Sequence, residues 1–334
     1  MSVAPGSFLL GWGRCTRKTH LSKNSACGFY FPDFFLEENE PWLTYEYTSQ
    51  IDGRELLDFL DKAWLPPDKI TWKKPSQEIF NDAFTSFKQE VAKERLVKVV
   101  PYVFEVSKST MRKRQLVHSL LSACTFSLDY PLFCYGFWND CEGMLGLTPE
   151  ILFEINDKIE TMACAGTKPL SEVDEINNCK EIKEHGFVIQ GIAESLSVFG
   201  TVETGELQVV KLPKLAHLIT PIRVDPGKCS VKPEFISVAH ALHPTSALGA
   251  YPYVNGKAWL KGYDRKLPRG RFGAPAGYSC PERARCYVAI RNVQWNKEQM
   301  RIGAGCGVIA ESQLDNEWRE IECKLQMIKE VLKL

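Results

Sequence analysis

Apolar residues recur at helical spacing in several parts of the chain. Between Gln77 and Leu96 they predict an amphipathic helix. The same spacing predicts helices over residues 110–121, 176–199 and 316–334. The buried face of the first of these helices is expected to carry Ile79, Phe80, Phe84, Phe87 and Val91.

Runs of β-branched and aromatic residues predict the strands. One run extends from Val97 to Val106, where Pro101 indicates a sheet edge or a bulge. A hairpin is predicted over residues 144–165, with its turn at Asn156 and Asp157. Further strands are predicted at residues 7–13, 286–294 and 300–308.

Two stretches lack a regular pattern. Residues 30–75 are rich in aromatic residues and proline and predict irregular structure with short strands, whereas residues 200–206 predict a turn. Strands and helices follow one another without a shift in composition that would mark a linker. We therefore predict one large α+β domain over residues 1–334.

The charge of the chain is balanced, with 41 basic and 41 acidic residues among 334. Such a chain has no overall field to attract a polyanion, so we expect no nucleic-acid partner. No apolar stretch reaches the roughly 18 residues that a membrane-spanning helix needs, so we expect no membrane association. Since no self-complementary apolar stripe remains beyond the predicted core, we expect a monomer.

The 12 cysteines are scattered along the chain, without Cys-x-x-Cys pairs or zinc-finger spacing. This pattern favours reduced, buried cysteines in a cytosolic protein. Before Asp33, the first acidic residue, the basic residues include Arg14, Arg17, Lys18 and Lys23. An acid-poor, basic start is typical of an organelle transit peptide. The alternative is a first strand over residues 7–13, followed by a polar loop.

Two of the predicted helices place a pair of glutamates beside their apolar face. On a helical wheel, Glu181 and Glu184 fall on the apolar side of the helix over residues 176–199. Glu317 and Glu320 flank the apolar stripe of the last helix in the same way. Buried carboxylates are costly unless they are paired or bind a metal, and four of them suit a hard cation such as Mg²⁺. The alternative is that these acids are boundary residues, solvated or paired with lysines such as Lys180 and Lys183.

Lys98 places an ammonium group within a strand of valine, phenylalanine and tyrosine residues. A desolvated lysine can serve as a general base. Because half-buried strands alternate between two faces, the alternative is that Lys98 points to solvent.

Two motifs match known cofactor sites incompletely. The glycine-rich turn over residues 303–307 follows a predicted strand, but Val308 breaks the Gly-x-Gly-x-x-Gly spacing of a dinucleotide site. An anion held by backbone N–H groups is the remaining interpretation of this turn. His240 and His243 lack the glutamate of a zinc-protease motif, so we predict no zinc site.

Taken in order, these segments resemble the chorismate-utilising enzymes, the family of isochorismate, salicylate, anthranilate and aminodeoxychorismate synthases. Each motif is short, but their order from about residue 77 to the C-terminus is specific. The motifs are Lys98-Val-Val, Gly146-Leu-Thr-Pro-Glu150, Ala165-Gly-Thr167-Lys-Pro, Lys180-Glu-Ile-Lys-Glu-His185, His243-Pro-Thr-Ser-Ala-Leu-Gly249, Val288-Ala-Ile-Arg291, Ala304-Gly-Cys-Gly307 and Glu317-Trp-Arg-Glu320-Ile-Glu-Cys-Lys324.

The resemblance implies a chorismate-binding domain with a divergent part at residues 1–76 and a family-like core at 77–334. It implies two large, mainly antiparallel sheets packed together and flanked by helices, with the site in a cleft. It also implies Mg²⁺, held directly or through water by Glu181, Glu184, Glu317 and Glu320. Substrate-binding positions are implied at Thr167, His217, Ala247, Phe272, Arg291, Gly305, Gly307 and Lys324.

Among the family's members, the sequence is most similar to the isochorismate synthases. Lys98 stands where members that add water to C2 of chorismate carry a lysine base, and Glu150 is the expected proton donor to the departing C4 hydroxyl. Ala165 replaces the nucleophilic lysine of the aminodeoxychorismate synthases, and Ala247 stands where salicylate synthases carry threonine. The implied product, isochorismate, feeds menaquinone, catechol siderophore or salicylate synthesis.

Three alternatives remain. A salicylate synthase would go on to eliminate pyruvate, an anthranilate-type subunit would need a glutaminase partner, and a non-catalytic protein would only bind chorismate. Lys98 argues against the second, so we expect no obligatory glutaminase subunit, and Lys98 with Glu150 argues against the third. The sequence departs from the family pattern at Phe272 and Ala274, where tyrosine and glycine are usual, so one hydroxyl donor to the substrate is absent.

Overall fold

The computed structural model of the protein describes residues 1–22, 27–63, 66–67, 69–225 and 233–334. Its helices are α1 (Gly53–Lys62), α2 (Gln77–Ala92), α3 (Lys113–Asp129), α4 (Cys179–Leu196), α5 (Phe235–Leu242), α6 (Tyr253–Lys266) and α7 (Leu314–Val331). Its strands are β1 (Ser2–Ala4), β2 (Ser7–Lys18), β3 (Gly28–Tyr30), β4 (Trp42–Asp52), β5 (Lys98–Val99), β6 (Tyr102–Ser107), β7 (Phe133–Trp138), β8 (Glu142–Thr148), β9 (Ile151–Ile155), β10 (Ile159–Pro169), β11 (Thr201–Thr204), β12 (Gln208–Lys211), β13 (Leu215–Asp225), β14 (Ala250–Tyr251), β15 (Pro275–Ser279), β16 (Ala284–Val288), β17 (Asn292–Asn296), β18 (Met300–Gly305) and β19 (Val308–Ile309).

Most strands belong to two antiparallel sheets. Within the described ranges, the larger sheet has 11 strands in the order β1-β2-β4-β3-β15-β16-β9-β10-β13-β11, and β12 also pairs with β13. The smaller sheet has the order β6-β18-β17-β8-β7, and β14-β5-β19 form a third, short sheet. The prediction of an α+β fold with two large antiparallel sheets is therefore confirmed.

The alternation of side chains along the strands explains how the layers stack. In β16, Cys286 and Val288 pack in a cluster with α4 and α5, whereas Tyr287 packs against strands of the smaller sheet. In β8, Met144 joins the cluster of Tyr287, and Leu145 packs with residues of α2, α3 and α7. The two sheets thus lie face to face between two layers of helices.

Two predicted strands divide between the sheets. The predicted hairpin exists at its tip, where Ile159 pairs with Ile155, but residues 144–148 belong to β8 in the smaller sheet. The predicted strand over residues 286–294 likewise divides into β16 of the larger sheet and β17 of the smaller sheet. Glu150 and Arg291 lie at these two crossovers. The folding of the chain between sheets thus brings both residues to the junction of the two layers.

The helices with the strongest apolar periodicity match their predictions closely. Helices α2, α4 and α7 agree within a few residues, and α3 begins and ends later than predicted, at Lys113 and Asp129. Pro101 interrupts the predicted strand from Val97 to Val106, and β6 lies at the edge of the smaller sheet, as expected.

Two predictions of irregular structure are wrong. Residues 30–75 contain the long strand β4 and helix α1, and residues 201–204 form β11 rather than a turn. Strand β4 pairs with β2 along almost its full length, from Ser7↔Asp52 to Lys18↔Trp42. Much of this ribbon is exposed on both faces. It therefore lacks the apolar alternation that makes a strand visible in a sequence. Residues 7–13 form a strand, as interpreted, but β1 (Ser2–Ala4) precedes it, and β2 continues to Lys18 where a polar loop was expected. Lys23 lies outside the described residues.

The prediction of reduced, buried cysteines holds for Cys124, Cys134, Cys164, Cys286 and Cys306 but is wrong for the other cysteines that the structure describes. Cys27 and Cys280 form a disulfide, because each continues the ladder in which Gly28 of β3 pairs with Ser279 of β15. Their Cα atoms are 4.4 Å apart. The exposed free cysteines are Cys15, Cys141, Cys179 and Cys323, and Cys229 lies outside the described residues.

Across the described ranges of the chain, the helices include none with the length and apolarity that a membrane crossing needs.

Candidate active site

A cavity of about 70 Å³ lies between the two sheets, where β10, β13 and β18 meet α4 and α7. It brings together most of the positions that the sequence predicted. Those lining it are Glu150, Thr167, Glu184, His217, Ala247, Phe272, Arg291, Gly305, Gly307, Glu320 and Lys324. Lys98, Glu181 and Glu317 adjoin this lining: Lys98 contacts Glu184, while Glu181 and Glu317 line a second cavity that shares Thr167 and Glu320.

Lys98 is completely buried, with 0% of its surface exposed. Its Nζ lies 3.2 Å from Glu184 Oε1, and beyond this ion pair it has no hydrogen-bond partner among the described residues. The interpretation that Lys98 points to solvent is therefore wrong. The backbone at Gly307 passes directly against the pair, since a Cβ there would overlap Glu184 Oε1 and lie 2.7 Å from Lys98 Cε. Only glycine fits this close approach without displacing the lysine.

Glu150 is also buried, and its backbone N–H donates a hydrogen bond to Thr148 Oγ1 at 3.2 Å. Burial raises the pKa of Glu150 to about 8, although the positive charges of Lys98, Arg291 and Lys324 oppose this shift. The carboxyl group is therefore mainly protonated at neutral pH. A protonated carboxyl group lining a cavity can act as a general acid.

Arg291 is held in a buried network with His217 and Thr167. Arg291 Nη2 donates to His217 Nε2, which assigns the remaining ring proton to Nδ1, so that Nδ1 donates to Thr167 Oγ1 at 3.0 Å. Burial, together with the charges of Arg291 and Lys324, lowers the pKa of His217 well below its ordinary value, so the ring is neutral. Arg291 has a φ of 54°, a conformation that a residue other than glycine adopts only when its surroundings impose it.

Lys324 supplies a second cation to the cavity. Its Nζ donates to the carbonyl oxygen of Gly305 at 2.8 Å and lies 2.7 Å from Glu320 Oε1. Burial opposes the charged form, but Glu320 and its other neighbours raise the pKa of Lys324, which stays protonated. Lys324 and Arg291 can therefore each attract a carboxylate of a ligand in the cavity.

The first turns of α4 and α7 face each other across a cluster of carboxylates, which we call the acidic cluster (Glu181, Glu184, Glu317 and Glu320). The ammonium group of Lys180 lies among them. Its Nζ is 3.0 Å from Glu184 Oε2, 3.1 Å from Glu317 Oε1 and 3.5 Å from Glu181 Oε1. The predicted burial of Glu181 and Glu184 is confirmed, and so is that of Glu317.

The charges of the acidic cluster are unevenly compensated. Burial raises the pKa of Glu181 to about 7, and burial also raises that of Glu317. Burial acts on Glu184 as well, but Lys180 and Lys98 outweigh it and lower the pKa of Glu184 to about 2. The lysines therefore do not fully compensate the negative charge of the acidic cluster.

The donor atoms of the acidic cluster fit a hard divalent cation. Four carboxylates from two helix ends are the oxygen ligands that Mg²⁺ prefers, and the Lys180 ammonium already serves as a cation among three of them. In the part of the chain that the structure describes, no three acidic, histidine or cysteine side chains converge on one point closely enough to hold a metal ion. The carboxylates would have to move inward to bind one.

Several residues of this site were not among the predicted site residues. Lys180 was considered only as a lysine that could pair with the glutamates and as the first residue of a family-like motif, and its place among three carboxylates was not predicted. Cys164 and Cys306 also line the cavity. His185 ties α4 to the larger sheet, since its Nδ1 donates to the Ala165 carbonyl at 3.1 Å and its Nε2 accepts from Thr220 Oγ1 at 2.8 Å.

Of the two histidines outside the cavity, His243 has a structural role. His243 is buried, lies against the ring of Phe34 and hydrogen-bonds the Phe34 carbonyl oxygen through Nε2 at 2.6 Å. His240 is exposed on α5.

The chain is similar to curated isochorismate and anthranilate synthases. Isochorismate synthase MenF of Haemophilus influenzae is 31% identical over 206 residues, which cover 57% of this chain and 47% of that protein. Anthranilate synthase component 1 of Saccharolobus solfataricus is 28% identical over 201 residues, covering 56% of this chain and 47% of that protein. The chain thus spans about half the length of the curated relatives it matches.

The fold is shared with a solved structure over almost the whole chain. MenF, the menaquinone-specific isochorismate synthase from Escherichia coli, superposes with a TM-score of 0.77 at 17% identity, covering 98% of this chain and 86% of the other. The profile of the family described as chorismate binding enzyme matches residues 47–333. This match extends over most of the chain and includes every residue of the cavity described above. The protein therefore belongs to the chorismate binding enzyme family.

Proposed function

We propose that this protein is a Mg²⁺-dependent isochorismate synthase. The observation that carries the proposal is the presence of a buried lysine and a protonated glutamate, Lys98 and Glu150, beside one cavity of a chorismate binding enzyme. Glu150 lines the cavity, and Lys98 contacts Glu184, which lines the same cavity. The similarity to isochorismate synthase MenF supports the same activity.

In the proposed reaction, Lys98 first loses the proton that makes it the cationic partner of Glu184, and the resulting amine accepts a proton from a water molecule as the oxygen of that water bonds to C2 of chorismate. The ring double bonds shift, the bond from C4 to its hydroxyl oxygen breaks, and Glu150 gives its proton to the departing oxygen, which leaves as water. Since one water enters and one leaves, isochorismate is an isomer of chorismate. Placing acid and base beside one buried ligand accelerates both proton transfers.

The cations of the cavity would orient the substrate. Arg291 and Lys324 would each attract one of the two carboxylates of chorismate, and the neutral His217 would hold Arg291 in place. Glu181, Glu184, Glu317 and Glu320 would hold Mg²⁺, which when bound supplies a positive charge that polarises a substrate carboxylate. We further propose that the protein needs no glutaminase subunit, because the nucleophile in this mechanism is water.

The test is to incubate the purified protein with chorismate and Mg²⁺ and to identify the products by mass. An isomer of chorismate with the retention time of isochorismate would support the proposal. Salicylate with pyruvate would show that elimination also occurs, and an aromatic amine formed only with added ammonia would show an anthranilate-type reaction. Binding of chorismate without turnover would contradict an enzymatic role.

Gly307 provides a sharp test of the site geometry. Gly307→Ala would place a methyl group on Glu184 and Lys98, and we expect it to lower kcat/KM for chorismate by about 100-fold, because small displacements of a catalytic group are costly. Gly186→Ala is the matched control, since a Cβ at this helical position meets nothing within 4 Å. Steady-state kinetics check both variants. Equal activities of the two would show that the Lys98–Glu184 pair tolerates displacement.

A further inference from the structure

We propose that Lys180 is a built-in counter-ion that occupies the divalent cation's place in the metal-free protein and must leave for the metal to bind. The proposal concerns how this chain controls metal affinity, and it rests on the proposed Mg²⁺ site. Lys180 is the second residue of α4 (Cys179–Leu196), directly ahead of Glu181. Its side chain reaches across to the first turn of α7.

The geometry is that of a bound cation. The Nζ of Lys180 lies within 3.5 Å of a carboxylate oxygen of each of three members of the acidic cluster, Glu181, Glu184 and Glu317. An ammonium group has three hydrogens, so it can satisfy three acceptors at once. Mg²⁺ would require the same oxygens at roughly 2.0–2.1 Å and would repel the ammonium, so the two cations exclude each other.

The remaining lysines of the site cannot replace Lys180. Glu184 also pairs with Lys98, and Glu320 pairs with Lys324. For Glu181 and Glu317, Lys180 is the one ion-pair partner within the described residues. Removing Lys180 would therefore leave two buried carboxylates without a counter-ion until a metal enters.

The second cavity, beside the acidic cluster, provides space into which the Lys180 side chain can move. Lys180, Glu181, Glu317 and Glu320 line this second cavity together with polar residues from the ends of α4 and α7, among them Asn178 and Asn316. Lys180 keeps 18% of its side chain exposed. A flexible four-carbon side chain that already contacts water can move its charge into this cavity without unfolding either helix.

The experiment is a calorimetric titration of Mg²⁺ alone into the metal-free protein. We expect Lys180→Met to bind Mg²⁺ at least about tenfold more tightly than the unaltered protein, because no resident cation has to be displaced. We also expect the melting temperature of the metal-free Lys180→Met protein to fall and saturating Mg²⁺ to restore it. A purely structural role for Lys180 would lower the melting temperature equally with and without Mg²⁺.

Lys183→Met is the matched control. Lys183 lies on the same helix but pairs with Glu311 at the surface, where half of its side chain is exposed. Its replacement should leave Mg²⁺ affinity unchanged. Unchanged or weaker Mg²⁺ binding by Lys180→Met would overturn the proposal, while Mg²⁺ binding by the unaltered protein would leave the proposed metal site standing. If neither protein bound Mg²⁺, both the displacement and the metal site would be wrong.

A second measurement covers the case in which Lys180→Met fails to fold. In the unaltered protein, reductive methylation followed by peptide mass spectrometry reports the accessibility of each lysine amine. Mg²⁺ is expected to increase the labelling of Lys180 and to leave that of Lys183 unchanged. Labelling of Lys180 that stays constant or falls with Mg²⁺ would show that the ammonium group remains among the carboxylates.

Discussion

Replacing Lys98 with alanine is expected to lower the turnover of chorismate by a factor on the order of 10²–10⁴, the usual contribution of a general base. The binding of chorismate should change little, because Arg291 and Lys324, which would hold the substrate carboxylates, remain in place. The variant keeps the ion pair between Glu184 and Lys180, so its carboxylate is not left without a partner. Stopped-time product assays measure turnover, and calorimetry measures chorismate binding.

Two controls separate the loss of the base from general damage. Lys98→Met fills the same volume without an amine and should be as inactive as Lys98→Ala. Lys108→Ala removes an exposed lysine just after β6 and should retain full activity. Retained turnover in both Lys98 variants would exclude Lys98 as the base and would favour another member of the family's reactions. Loss of chorismate binding together with turnover would instead make Lys98 a substrate-binding residue.

Replacing Glu150 with glutamine is expected to lower kcat by a similar factor, on the order of 10²–10⁴, because glutamine cannot donate a proton to the leaving hydroxyl. The carboxyl must be protonated to act, and burial raises its pKa to about 8. In the unaltered protein, kcat/KM should therefore fall as the pH rises through about 8. This alkaline limb should disappear in Glu150→Gln. Glu160→Gln, on β10 away from the cavity and with 43% of its side chain exposed, should preserve it.

The same shift predicts how stability depends on pH. The pKa of Glu150 is raised from 4.5 to about 8 on folding, so its neutral form stabilises the protein fully below pH 4.5, and this contribution is lost as the pH rises through 8. Glutamine is neutral at every pH. Glu150→Gln should therefore melt at a higher temperature than the unaltered protein at pH 8.5, and the difference should vanish near pH 4. Equal melting temperatures at pH 8.5 would show that Glu150 is not buried as described.

The sequence by itself determined the helices that carry the acidic cluster. The apolar periodicity of α4 and α7 predicted which face is buried, and the glutamates placed on that face, Glu181, Glu184 and Glu317, are buried in the structure. This worked because a helix repeats about every 3.6 residues regardless of its partners, so one stripe of side chains identifies the inward face. The order of short motifs along the chain also determined the family.

The sequence did not determine which sheet each strand joins. Residues 144–155 and 286–294 were predicted as continuous strands, whereas each stretch crosses from one sheet to the other, at Glu150 and Arg291. A strand repeats every two residues in either sheet, and both of these stretches are mostly buried, so their pattern carries no information about which sheet each segment joins. Strand β4 was missed for a related reason. The ribbon of β2 and β4 is exposed and is held together by backbone hydrogen bonds, which leave no apolar pattern in the sequence.

Only the tertiary structure decided how the charges of the site are arranged. The sequence allowed Lys98 to point to solvent and allowed the glutamates to pair with surface lysines, and the packed structure places Lys98 on Glu184 and Lys180 among three carboxylates. The pKa of Glu150 likewise depends on burial and on the charges of Lys98, Arg291 and Lys324, which are distant from it along the chain. Ion pairing and desolvation depend on distances in space, which the order of residues does not specify. Helical amphipathicity depends on residues a few positions apart along the chain, so the order of residues does specify it.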